Sequence, residues 1–442
     1  MQYIPNILFA LALGFGVWFF YNNVRKLIRN IKLGHDADVS GDSAQRWKNM
    51  ARIALGQTKM VVRPIAGILH IIVYVGFIII NIEVLEIILD GLLGTHRLFA
   101  FLGGAYDFLI GSFEILAFLV IVAVVIFWLR RNVIRLKRFL KPEMEGWPKK
   151  DGNLILYIEL VLMVLFLTMN GADYQLQQMG AEHYVEAGSF PISQFLAPIF
   201  QGMSEGTLIA IERGAWWIHI LGILFFLNYL YYSKHLHILL AFPNTFYGRV
   251  KPQGQFDNLE AVTKEVKLMM DPNADPFAAD AGGDDAAEPG KFGASDVMDL
   301  NWVQLMNAYT CTECGRCTSE CPANQTGKKL SPRKIMMDTR DRLEEVGKNI
   351  DANKGTFVPD GKQLLDDYIT KEELWACTTC NACVQACPVS IDPLSIIVEM
   401  RRYLVMEQSA APTELNNMMS NIENNGAPWP YNQMDRLNWV NE

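Results

Sequence analysis

Cys311-Thr-Glu-Cys314-Gly-Arg-Cys317-Thr-Ser-Glu-Cys321-Pro322 recurs as Cys377-Thr-Thr-Cys380-Asn-Ala-Cys383-Val-Gln-Ala-Cys387-Pro388, and these two stretches hold all eight cysteines of the 442-residue chain. Three thiolates spaced C-x-x-C-x-x-C wrap one corner of a cubane cluster in a tight turn, and the fourth comes from elsewhere in the fold. Where two such runs occur, each fourth cysteine ligates the other cluster. One [4Fe–4S] set is therefore expected to be Cys311, Cys314, Cys317 and Cys387, and the other Cys377, Cys380, Cys383 and Cys321. A zinc ribbon needs four ligands from paired C-x-x-C knuckles and has no use for further cysteines at these offsets, twice. A disulfide framework belongs to short secreted chains. The proline after each fourth cysteine cannot continue a helix ladder and turns the chain.

Upstream of the cysteines the composition changes. The chain is 51% hydrophobic, and the excess sits in five apolar runs, roughly 4–21, 64–89, 108–129, 153–170 and 215–242. Each approaches or exceeds the ~20 residues that cross about 30 Å of hydrocarbon as a helix. The first run has no basic segment before it and no small-residue cleavage site after it, so it reads as a retained span. Basic residues cluster between Arg25 and Arg63 and between Arg130 and Lys150, whereas the second loop has only Arg97 and the fourth only Arg213. The positive-inside rule then puts the N-terminus outside and the cysteine-rich part in the cytoplasm. A net charge of −8 gives no support for nucleic-acid binding. No G-x-G-x-x-G follows a strand pattern, so nothing points to a bound dinucleotide.

The fold class expected is mainly α: a five-helix transmembrane bundle followed by an α-helical, ferredoxin-like two-cluster domain. The bundle occupies 1–245, a partly disordered linker 246–294, the cluster domain 295–407 and a polar tail 408–442. Pro243 and Asn244 are expected to close the fifth helix. Trp429, Tyr431 and Trp439 in the tail are suited to docking a partner.

Low-spin haem b takes two axial imidazoles facing each other across a bundle. His70 follows Pro64 by six residues and His237 precedes Pro243 by six, which places them at similar depth on antiparallel helices, near the cytoplasmic face. In a continuous fifth helix His219 and His237 share one face, while His235 points roughly 160° away. The expected pair is His70 with His237. His219 is a candidate for an outer haem, with His96 its only evident partner, or else a packing residue or quinone contact. Glu83, Glu86, Glu114 and Glu159 fall within spans, where charge is costly and tends to mark a quinone or proton path. Glu83 and Glu86 face away from His70 and are close enough to Asp90 to be interfacial, whereas Glu114 and Glu159 lie deeper.

The membrane part, with a histidine in the second helix and Trp216-Trp217-Ile-His219, Tyr232-Ser-Lys-His235-Leu-His237 and Pro243-Asn244 in the fifth, resembles the nitrate reductase gamma subunit family. That resemblance implies paired histidines on these helices holding haem b. The cluster domain, through its cysteine words and Gly327-Lys-Lys-Leu-Ser-Pro332, resembles heterodisulfide reductase-like proteins and membrane-bound electron-transfer-flavoprotein:menaquinone oxidoreductases. Fused relatives of that kind continue into a Cys-Cys-Gly module. No cysteine follows Cys387 here, so that module is expected to be a separate Cys-Cys-Gly iron–sulfur partner or absent. The gamma-subunit family usually offers two histidines in the second helix against the one seen here, leaving one or two haems.

The resemblance implies a subunit of a quinone-linked oxidoreductase in the bacterial cytoplasmic (inner) membrane. Electrons from a cytoplasmic donor such as electron-transfer flavoprotein would pass through two [4Fe–4S] clusters and haem b to menaquinone in the lipid bilayer. A heterodisulfide reductase-like or hydroxy-acid-oxidising complex is the alternative. A non-enzymatic redox sensor has no need of haem histidines that lead into the bilayer. No residue stands out as catalytic towards an organic substrate.

Overall fold

Five long helices lead the chain: Ile4–Ile31, Pro64–Leu93, Gly104–Asn132, Trp147–Gln178 and Glu205–Tyr229. All five spans are long and apolar enough to cross a membrane. They belong to a computed structural model that describes residues 3–272 and 291–441. Among the described residues every regular element is helical, and β pairing is limited to two isolated bridges. The chain is a mainly α, multi-pass membrane protein.

The helices outrun the apolar runs because capping and polar flanks extend them. Pro64 and Pro148 sit in first turns, where a missing N–H costs nothing, and Gly94 ends the second helix in a left-handed conformation at φ 74°. Small residues let the spans approach closely. A Cβ on Gly76 would meet Val120 at 2.7 Å, and one on Gly222 would meet Leu162 at 2.8 Å.

The fifth span differs from the sequence expectation. Its helix stops at Tyr229, two 3-10 turns cover Leu230–Tyr232 and Lys234–Leu236, and a separate helix runs from His237 to Phe246 with Pro243 inside it. The break is held by Asp151, buried at the start of the fourth helix. It accepts from the Tyr229 hydroxyl, from Ser233 Oγ at 2.8 Å and from the Lys234 amide at 3.1 Å. The Lys234 amide is backbone that a continuous α-helix would have satisfied itself, and the two hydroxyls complete the shell of the buried carboxylate.

The cluster domain packs directly on the bundle. Leu27, Phe226, Leu230 and Leu236 of the bundle share one buried core with Leu300, Leu305, Ile335 and Leu343. Gly34 lies so near the backbone of Leu300–Trp302 that a Cβ would sit 2.7 Å from it. His35 exchanges backbone hydrogen bonds with Leu300 and Trp302 at 2.9 and 3.0 Å. Asn30, buried in the first helix, donates to the Tyr309 hydroxyl at 2.9 Å.

Part of the expected linker is built structure. Arg46 holds the Gly248 carbonyl at 3.2 Å, and a helix covers Glu260–Met270. The Ala/Asp/Gly-rich portion, 273–290, lies outside the described residues. In the tail, a helix over Thr413–Asn425 buries none of its residues, and Trp429, Tyr431 and Trp439 are exposed.

Candidate functional site

Both cysteine motifs fold into the same loop. Glu313 and Thr379 sit at φ 53° and 54°, and Gly315 and Asn381 at 71° and 61°. Left-handed backbone at four matched positions turns the C-x-x-C-x-x-C segment inward on itself, and strain of this kind clusters at ligand sites. A five-residue helix follows each loop, Arg316–Glu320 and Ala382–Ala386, and each ends on the fourth cysteine. These two short helices pack against each other, which carries each fourth cysteine across to the other motif.

The crossing is visible in the cavity that Cys321 lines together with Cys377, Cys380 and Cys383. In the first set, Cys317 lies within electrostatic reach of Cys314, Cys311 and Cys387. All eight thiols are free of disulfides. Among the described residues no three His, Cys, Asp or Glu side chains converge as ligands of one metal ion. On a zinc ion every sulfur lies about 2.3 Å from the same atom, whereas a cubane spreads its four thiolates over four irons. The arrangement therefore fits clusters. Burial pushes the Cys311 thiol up to about 12 and Cys387 up to about 11. Such thiols shed their protons when a bound cation compensates the charge.

The first motif is gripped by the bundle's own loops. Arg316, buried between Cys314 and Cys317, donates to the carbonyls of Lys59 at 2.8 Å and Met60 at 3.1 Å. Arg63 reaches Ser319 and Glu320 at 2.8 and 2.7 Å. Arg333 donates to the Arg138 carbonyl and to Glu143, both at 2.7 Å. Glu313 is paired with Lys234, at the break in the fifth span, and with Arg340; those two cations hold its carboxyl below the usual range against the pull of burial. Several basic residues that the sequence offers as topological signals are thus also docking contacts.

His70 and His237 face each other with ring centres 6.4 Å apart. Two imidazoles bound to one iron through nitrogens about 2 Å from the metal place their ring centres roughly 6–6.5 Å apart. The Lys234 carbonyl takes the Nδ1 proton of His237 at 3.0 Å, which leaves Nε2 for a metal, and the buried Nδ1 of His70 has no partner. The pair fits a b-type haem. The helical-face count that singled out His237 does not apply, because the fifth helix breaks before it; the break itself turns His237 towards His70. His235 sits edge-on to His237 with ring centres 5.4 Å apart and places Nε2 3.6 Å from Glu159.

His219 is buried, with Nδ1 3.0 Å from the Leu162 carbonyl and its ring beside Phe166. His96 packs against Tyr184 and lies 3.6 Å from Asp173. No described contact joins His219 to His96.

The remaining carboxylates meet at the opposite end of the bundle. Glu86 accepts from the Phe99 amide at 2.7 Å and the Tyr106 hydroxyl at 2.8 Å. Glu114 accepts from the Ile192 and Ser193 amides at 2.9 and 3.0 Å and from Asn170 at 3.2 Å. Arg97 donates to Asp173 at 2.6 Å, Tyr106 at 3.1 Å and Asn170 at 3.2 Å. Glu83 is 4% exposed, and its Oε2 has no partner. Glu83 and Glu86 are both buried within the protein. Arg97, Tyr106 and Asp173 were not singled out by sequence reasoning; the signal was Asn170, Asp173 and Gln177 at helical spacing, continuing one polar face past the apolar run.

A 4Fe-4S dicluster domain model matches residues 310–391. The chain is 30% identical to a probable iron-sulfur-binding oxidoreductase, FadF, of Bacillus subtilis, over 99% of this chain and 61% of that protein. It is 26% identical to the EtfAB:quinone oxidoreductase of Syntrophomonas wolfei, over 90% of this chain and 54% of that one. A 150-residue stretch is 31% identical to one component of the dihydromethanophenazine:CoB–CoM heterodisulfide reductase of Methanosarcina mazei, covering 33% of this chain and 36% of that component. The chain thus spans between a half and two thirds of the length of the first two relatives. No solved structure matches it.

Proposed function

We propose that this chain is the membrane electron-transfer part of a quinone-linked oxidoreductase in the bacterial cytoplasmic membrane, taking electrons from electron-transfer flavoprotein and delivering them to menaquinone. The observation that carries the reading is the meeting, at one end of the bundle, of the first cysteine loop with the loop that opens the His70 helix, through Arg316 on Lys59 and Met60. The similarity to an EtfAB:quinone oxidoreductase supports the choice of donor and acceptor. The charge asymmetry of the loops favours a cytoplasmic cluster domain and an outside N-terminus.

When bound, the clusters and haem b supply one-electron carriers between a two-electron donor and a quinone that takes two electrons and two protons. The protein's own part is to hold them and keep them in register. Cys311, Cys314, Cys317 and Cys387 would ligate one cluster, and Cys377, Cys380, Cys383 and Cys321 the other. His70 and His237 would hold haem from opposite sides. Lys234 fixes the His237 tautomer through its carbonyl and ties the break to the first cluster loop through its ammonium on Glu313. His235 with Glu159 offers a protonatable pair at membrane depth.

The test uses purified protein in lipid nanodiscs with reduced electron-transfer flavoprotein and a water-soluble menaquinone analogue. Flavoprotein-dependent quinol formation, with close to eight iron and eight labile sulfide per chain, supports the reading. Stoichiometric zinc, or no quinol formation from any reduced donor, overturns it. The heterodisulfide reductase likeness favours a second reading, a thiol/disulfide system feeding the same conduit; quinol-dependent reduction of a disulfide, with the flavoprotein inert, would select it.

A further inference from the structure

The two cluster loops share a backbone but not an environment. The first motif and the residues after Cys387 face the bundle: Arg316 on Lys59 and Met60, Arg63 on Ser319 and Glu320, Lys59 within 3.4 Å of Ser390, and Asn244 donating to the Val389 carbonyl at 2.8 Å. The ammonium of Lys59 also acts on Cys387, and the guanidinium of Arg138 on Cys314. The second motif faces outward. Cys380 is the one exposed cysteine of the eight, its neighbour Thr378 is exposed, and Arg401 braces the loop from within the cluster domain by holding the Leu374 and Cys377 carbonyls. Among the described residues no hydrogen bond or ion pair joins the bundle to Thr378 or Cys380; Gln253, beyond the bundle, reaches the Asn381 carbonyl at 3.4 Å.

We infer that the clusters have fixed places in the route: the one held by Cys321, Cys377, Cys380 and Cys383 exchanges electrons with the soluble partner at the surface around Thr378 and Cys380, and the one held by Cys311, Cys314, Cys317 and Cys387 is the membrane-side relay. Electron transfer weakens steeply with distance, so a partner that cannot enter the fold reacts with the cluster nearest the surface. The occupant of the Thr378–Cys380 face is a reduced soluble electron carrier. Each turnover there oxidises the carrier by one electron and reduces the outer cluster by one. That electron then moves to the inner cluster and on towards the bundle, and two such passages reduce one quinone with two protons. The inference rests on the electron-transfer reading above and adds the order of the clusters to it.

Two measurements on the full-length protein in nanodiscs decide it. In the first, a soluble lanthanide chelate is added to dithionite-reduced protein, and the spin relaxation of each cluster is read by electron paramagnetic resonance. The signals are assigned by Cys380→Ser and, independently, Cys314→Ser. The chelate should speed relaxation of the signal altered in Cys380→Ser and leave the other near its original value. Equal relaxation, or the reverse order, overturns the inference. In the second, Thr378→Trp places bulk over the face. Reduction by reduced electron-transfer flavoprotein should slow at least tenfold while dithionite still reduces both clusters fully. An unchanged rate, with the wild type reduced normally, overturns the docking face. If the flavoprotein fails to reduce the wild type, it is the choice of donor that falls, and the relaxation measurement still decides the order.

Discussion

The histidine pair at the cluster-side end of the membrane bundle and the carboxylates at its far end are buried in different company. At the cluster-side end, His70 keeps a buried nitrogen with no partner and His237 engages only one of its two. At the far end, Glu86, Glu114 and Asp173 each accept from two or more donors, and Glu83 Oε2 and His96 Nδ1 are left without a partner. Burying a polar group is costly unless its hydrogen-bonding capacity is met. The cluster-side pair is thus left with capacity that the proposed haem would meet, whereas the far-end carboxylates are met by the protein's own loops and helices.

The largest effect is expected where the ligand provides the partner. His70→Ala and His237→Ala should each abolish the bound b-type haem, read as loss of the α band in dithionite-reduced spectra, while His235→Ala should keep it. Loss on His235→Ala with retention on His237→Ala would exchange the roles of those two residues. Next comes Arg97→Ala, which strands buried Asp173 and should cost about 3–5 kcal/mol in detergent unfolding titrations. The double change Arg97→Met with Asp173→Leu should recover much of that, and a double as unstable as the single would show that the pair is not the source. Glu114→Gln keeps the shape but weakens two amide contacts to a neutral acceptor, about 1–2 kcal/mol. Glu83→Gln should shift stability by less than about 1 kcal/mol, because no donor is lost. A large loss there would mean that Glu83 has a partner of its own, and would erase the contrast between the two ends.

Much of this was legible in the sequence. Span number follows from runs of apolar residues, since no other arrangement hides that much hydrocarbon. The crossed cysteine sets follow from spacing that one loop cannot close. The break at Tyr229–Leu236 was hidden, because its cause is Asp151, distant in sequence and unremarkable in composition. The far-end network was hidden for a similar reason. Arg97 reads as a lone loop charge until the fourth helix is known to run on to Gln178 and bring Asp173 beneath it. The intimacy of bundle and cluster domain was obscured by the low-complexity stretch between them, which suggested distance where the chain ends up in contact.

The common core carries a consequence for how the chain is made. The five spans precede residues 294–404 in the chain, so Leu27, Phe226, Leu230 and Leu236 are made before the partners that bury them. What later covers them includes Cys311, Cys321 and Cys387, residues of the same core. Firm covering of that apolar patch is therefore expected to depend on loading of the clusters, and a chain starved of iron or sulfide is expected to be the better substrate for the proteases and chaperones that clear unfinished proteins.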